Sequence, residues 1–152
     1  MRTTKRLAVV AIALALVVGL PGVAAGCEPP PGTGTPGYWH KMDHWEDWDL
    51  DHVWVGGVHY TAAEAIDIIN MPVKGDKTMT MFPALAAAKL NVMIGNPSWC
   101  IADYISAADS WMAGYPPGSR VKANSDAWDY GEPLYWKLDA YNNGYLCAPS
   151  RG

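Results

Sequence analysis

Val53-Trp54-Val55-Gly56-Gly57-Val58-His59-Tyr60 alternates around a Gly-Gly pair and runs directly into Thr61-Ala62-Ala63-Glu64. Period-two alternation about two glycines signals a β-hairpin, because the favoured two-residue loop needs φ above zero at both positions. Thr61 and Glu64 then make a capping box, in which hydroxyl and carboxylate satisfy free helix N–H groups. The helix continues through Ala65-Ile66-Asp67-Ile68-Ile69 and stops near Asn70, since Pro72 cannot prolong it.

The later chain reads as three more helices. Val73-Lys74-Gly75-Asp76 is a loop, and a second helix is expected from near Thr80 to Met93, with Pro83 in its first turn and Gly95 closing it. Asn96-Pro97-Ser98 caps a third, Trp99 to Ala113, with Ile101, Tyr104, Ile105, Ala108 and Met112 at helical spacing. Gly114 ends it, and Tyr115-Pro116-Pro117-Gly118-Ser119 is a tight connection. Residues 120–131 read as irregular. Pro133 opens a fourth helix carrying Leu134, Leu138 and Tyr141 on one face. The expected fold class is mainly α with a small β-hairpin: a compact, disulfide-stabilised helical domain of about four helices.

Arg2, Lys5 and Arg6 precede an apolar run from Leu7 to Leu20, and small residues follow at Val23-Ala24-Ala25-Gly26. That pattern is a secretory signal peptide over residues 1–26. The run of 14 residues is shorter than the roughly 20 that a spanning helix needs. Two processing chemistries compete at its end. Val23-Ala24-Ala25 suits ordinary signal peptidase, while Ala24-Ala25-Gly26-Cys27 resembles a permissive lipobox in which Cys27 is lipidated. Residues 27–35 read as a Pro/Gly-rich tether and 36–152 as a single secreted domain.

Without the leader, eight basic side chains stand against fifteen acidic ones, a formal charge of −7. This disfavours nucleic acid and anionic lipid as partners, leaving the membrane accessible through lipidation at Cys27 alone. Three cysteines in an exported chain imply at least one disulfide and a further thiol to account for. If Cys27 is lipidated, Cys100 and Cys147 remain to pair; otherwise Cys27 is itself an ordinary disulfide partner.

The most unusual chemistry lies between Trp39 and His59, which hold four tryptophans, all four histidines and five acidic residues. If residues 38–48 are helical, His40 and His44 stand at i and i+4 with Asp47 one turn on, a donor set suited to zinc or copper. Met42 would favour Cu(I) were the segment extended. The plainer alternative is a hydrated acidic helix, and no glutamate follows His40 as a zinc-protease motif requires. Asp47-x-Asp49-x-Asp51 imitates an EF-hand start, but His52 and Val58 occupy its diagnostic Gly and Glu positions. No serine sits in a nucleophile elbow, and nothing selects one pair of carboxylates for glycoside hydrolysis.

Several stretches together resemble a family of secreted bacterial proteins known by a Thr-Pro-Gly-Tyr-Trp-Lys-Asn-His motif near the mature N-terminus. Here Thr35-Pro36-Gly37-Tyr38-Trp39 carries it, with Gly56-Gly57-Val58-His59-Tyr60-Thr61, Gly75-Asp76-Lys77-Thr78, Ala86-Ala87-Ala88-Lys89-Leu90-Asn91 and the ending Leu138 to Arg151. The resemblance implies export and cysteines at the positions of Cys27, Cys100 and Cys147, and it implies no activity. About two extra residues follow Trp39, and Trp45 and Asp49 stand where the family has prolines. Trp45 and Trp54 are therefore expected to be at least partly exposed.

The functional expectation is an exported non-catalytic module. It binds an extracellular or cell-envelope partner, polysaccharide or protein, through an aromatic and acidic surface of Trp39, Trp45, Trp48, Trp54 and Tyr60. Against it stands simple packing of those aromatics. A zinc- or copper-binding protein using His40, His44 and Asp47 is the alternative, and a secreted hydrolase comes third; the leading reading needs no cofactor.

Overall fold

The computed structural model describes residues 28–151. The expected signal peptide, residues 1–26, and Cys27 lie outside the described residues. Two short helices come first, α1 (Pro36–Trp39) and α2 (Met42–Glu46), then the hairpin of β1 (His52–Val55) and β2 (Val58–Thr61). Four longer helices follow: α3 (Ala62–Asn70), α4 (Thr78–Met93), α5 (Ala102–Gly114) and α6 (Asp126–Asn142). The fold is thus mainly α with one antiparallel hairpin, held by a Cys100–Cys147 disulfide. Among the described residues no helix is long and apolar enough to cross a membrane.

The hairpin pairs Val53 with Tyr60 and Trp54 with His59 around Gly56 and Gly57, at φ +60° and +78°. Thr61 caps α3 with both halves of its capping box in place. The core is built on α4, which packs against α3, α5, α6, α1 and β1. Met81, Phe82, Leu85 and Leu90 are fully buried, and so are Ala86, Ala87 and Ala88, whose small side chains let neighbouring helices approach closely. A helix buried around most of its circumference, as α4 is, belongs in the middle of a bundle.

Three helix boundaries differ from expectation. α4 starts at Thr78, not Thr80, so Pro83 falls beyond the first turn. α5 starts at Ala102, because residues 98–101 form a turn in which Ser98 accepts from the Ile101 and Ala102 amides. α6 begins at Asp126, capped by the Ser125 hydroxyl, and Pro133 lies inside it. An interior proline costs about 3 kcal/mol. Burial of Trp128 before it, and of Leu138 and Tyr141 after it, overrides that penalty. Residues 126–131, expected to be irregular, are therefore helical.

The boundary at 36 also moves. Gly32, Thr33 and Gly34 are buried rather than part of a free tether. Gly32 is held at both backbone groups by the Asn96 carboxamide, at 3.0 and 2.9 Å, and Gly34 likewise by Asn91, at 2.7 and 2.8 Å. Thr33 donates to Pro149 and accepts from Arg151. Two asparagines and the C-terminal segment stand in for neighbouring strands, so the packed domain includes residues 32–35.

Asp76 joins two loops in a comparable way. Its carboxylate accepts from the Thr78 N–H and hydroxyl and from the Arg120 N–H. Burial pushes its pKa up, but these hydrogen bonds together outweigh burial and hold it below the ordinary 3.8. A carboxyl depressed in the folded state adds stability that is fully present above its unfolded value and lost as pH falls through the folded one. Asp76→Asn is expected to cost about 1–3 kcal/mol at neutral pH. Melting curves recorded against pH should show the gap to wild type narrowing below pH 3.8; a gap independent of pH would contradict this assignment.

Candidate binding surface

A strand of period two must put alternate side chains on opposite faces. Val53 and Val55 of β1 enter the core, which leaves Trp54 on the outer face, 52% exposed. Across the ladder its ring meets His59 edge-on at 5.1 Å, and His59 stacks on His52 at 4.8 Å. Asp51 holds His52 Nδ1 at 2.5 Å; that hydrogen bond, followed by the charge on the imidazole, keeps the Asp51 carboxyl below its usual range. Behind Trp54 a groove of about 260 Å³ is lined by Val53, Lys89, Val92, Met93 and Ile105.

The backbone beneath this face is fixed. Lys89 Nζ donates to the Trp54 carbonyl at 2.7 Å and to the Asp109 carboxylate, which also accepts the Gly56 N–H at 2.8 Å. A Cβ on Gly56 would lie 2.8 Å from the Ala113 nitrogen, so glycine is required there both for its φ and for the close approach of α5. The exposed indole therefore stands on a rigid mount rather than a free loop.

The other expected aromatics separate from it. Trp39 is fully buried and donates its indole N–H to Asn91 at 3.0 Å. Trp45, expected to be partly exposed, is also fully buried and donates to the Trp39 carbonyl at 2.8 Å. The cause is the break between α1 and α2, where Lys41 is extended. On one continuous helix residues six apart would point about 120° apart, and the break lets both rings enter the core. Trp48 is half-buried under the Arg151 guanidinium, 4.6 Å from its ring, with Tyr38 also against that cation. Tyr60 packs edge-on against Phe82, and burial, with Glu64 second, raises its hydroxyl pKa.

The same break removes the expected metal triad. His44 stacks flat on Tyr38 with centroids 3.8 Å apart, and its Nδ1 lies 2.6 Å from the Tyr38 carbonyl. His40 is the residue at which α1 ends, so the i, i+4 relation with His44 does not hold. Among the described residues no three His, Cys, Asp or Glu side chains are grouped to hold a metal ion, and His40, His44 and Asp47 form no donor set.

Among the described residues five exposed aromatics lie outside the expected set: Trp99, Tyr115, Tyr130, Trp136 and Tyr145, of which Trp99 at 82% is the most open. On α6 the buried positions Trp128, Gly131, Leu138 and Tyr141 mark one face that leaves Trp136 off it, while Tyr130 lies at its edge. Trp99 and Tyr145 lie beside the two disulfide cysteines in sequence and carry no comparable periodic signal. No protein family, curated protein or solved structure matches the chain.

Proposed function

We propose that this chain is an exported, non-catalytic binding module whose hairpin presents Trp54 to cell-envelope or extracellular polysaccharide. The observation that carries the reading is an indole left half open on a backbone tied to Lys89 and Asp109. A rigid exposed tryptophan stacks on a sugar ring at little entropic cost, and His52, His59 and Asp51 beside it supply donors and acceptors for hydroxyls. Export is supported by the charged, apolar leader and by the disulfide, since disulfides persist in oxidising compartments. The Cys100–Cys147 pairing also supports lipidation of Cys27, because it uses the other two cysteines. Likeness to the Thr-Pro-Gly-Tyr-Trp family agrees with export.

Trp54→Ala is expected to leave stability nearly unchanged and to weaken attachment to insoluble envelope polysaccharide by about 1–3 kcal/mol, if stacking losses on aromatics are a guide. Trp45→Ala should instead lose about 3–5 kcal/mol of stability, as an emptied core site does. Co-sedimentation with the polysaccharide and thermal melting of both variants test this. Unchanged sedimentation of Trp54→Ala would overturn the reading, and retention by a protein partner instead would move the ligand class from sugar to protein.

A further inference from the structure

Away from the hairpin, positive charge gathers where the loop before α4 meets the loop before α6. A concave pocket of about 510 Å³ there is lined by Lys74, Arg120 and Lys122 together with Met71, Pro72 and Met79. An acidic chain thus places three of its eight cations outside the leader around one cavity. Among the described residues the ion pairs are His52–Asp51 and Lys89–Asp109, so none of these three cations is in one. Asp76 also lines the pocket, but its carboxylate is engaged by Thr78 and the Arg120 N–H. The four charges together leave a net of +2.

The backbone is strained at two of these cations. Lys74 has φ +44° and Arg120 φ +62°, a left-handed conformation that glycine takes freely and long side chains do not. Lys74 precedes Gly75, φ +78°, in a turn closed by the Asp76 N–H on the Val73 carbonyl at 2.9 Å. Such a turn wants Gly, Asn or Asp at both centres. Strain of this kind persists where the residue has a use that outweighs it.

We propose that this pocket binds a small phosphate ester. The dianionic phosphate matches the net +2 of the lining and takes charge-assisted hydrogen bonds from Lys74, Arg120 and Lys122. The organic part lies against Met71, Pro72 and Met79. This site is independent of the Trp54 surface, so the failure of either reading leaves the other intact.

Calorimetric titration of the intact protein with phenyl phosphate, phenyl sulfate, inorganic phosphate and phenol tests it. Phenyl phosphate should bind most tightly, inorganic phosphate and phenyl sulfate more weakly, and phenol not at all; raised salt should weaken the phosphate ester. The Lys74→Gly, Arg120→Gly double variant should lose about tenfold or more in affinity. It should melt at or above the wild-type temperature, because glycine relieves both φ values. Lys122→Gln, which alters neither turn, gives an independent reading and should weaken binding as well. No binding of phenyl phosphate, equal binding of phenol, or unchanged affinity in Lys122→Gln would overturn the proposal.

Discussion

Asn91→Leu will destabilise the protein by about 4–6 kcal/mol, a large fraction of the roughly 5–15 kcal/mol that holds a domain of this size. The side chain is completely buried and serves four partners at once. Its oxygen accepts from the Gly34 N–H and the Trp39 indole, and its nitrogen donates to the Gly34 carbonyl and to Asn142 Oδ1. Leucine has nearly the same volume, so packing is conserved while all four groups lose their partner in a dry interior. Each stranded group costs about 1–3 kcal/mol, less whatever relaxation recovers. Urea denaturation measures the loss, and hydrogen exchange at Gly34 should quicken with it. A loss below about 1 kcal/mol would mean that water reaches the site and that residues 32–34 are not part of the core.

The second large effect is at the disulfide. Cys100 and Cys147 are 47 residues apart and join the turn before α5 to the segment after α6. Closing a loop of that length is worth about 4 kcal/mol in the chain-entropy model. The Cys100→Ala, Cys147→Ala double variant should lose about that much, and reductant should lower the denaturation midpoint of wild type but not of the variant. Equal sensitivity of both proteins to reductant would show that the bridge is not formed.

Much of this fold was legible where local rules and tertiary packing agree. The Gly-Gly turn, the Val53-Trp54-Val55 alternation and the Thr61–Glu64 box each point to one structure, and the hairpin with α3 follows them. The exposure of Trp54 was expected from a different signal, departure from the resembled family, and the same signal failed for Trp45. The misreadings lie where long-range contacts decide. Pro133 looked like a helix start because its penalty is local, whereas the burial that outweighs it comes from Trp111, packed against Gly131, and from α4. The break after Trp39 falls at Lys41, which is no helix-breaking residue type; it lets both indoles into one core and carries Trp45 and the His40–His44 spacing away from expectation. Gly32 to Gly34 look like linker by composition, yet Asn91 and Asn96 pair with their backbone from 57 and 64 residues away.

The eight indole N–H resonances give the most direct test of the hairpin as the binding face. Soluble fragments of envelope polysaccharide would be titrated into the labelled full-length protein while two-dimensional nitrogen–proton spectra are recorded. The Trp54 indole should shift progressively, with the amides of His52 and His59, while the buried indoles of Trp39 and Trp45 stay in place. A Trp54 signal that does not move while that of Trp99 or Trp136 does would place recognition elsewhere on the surface and contradict the account.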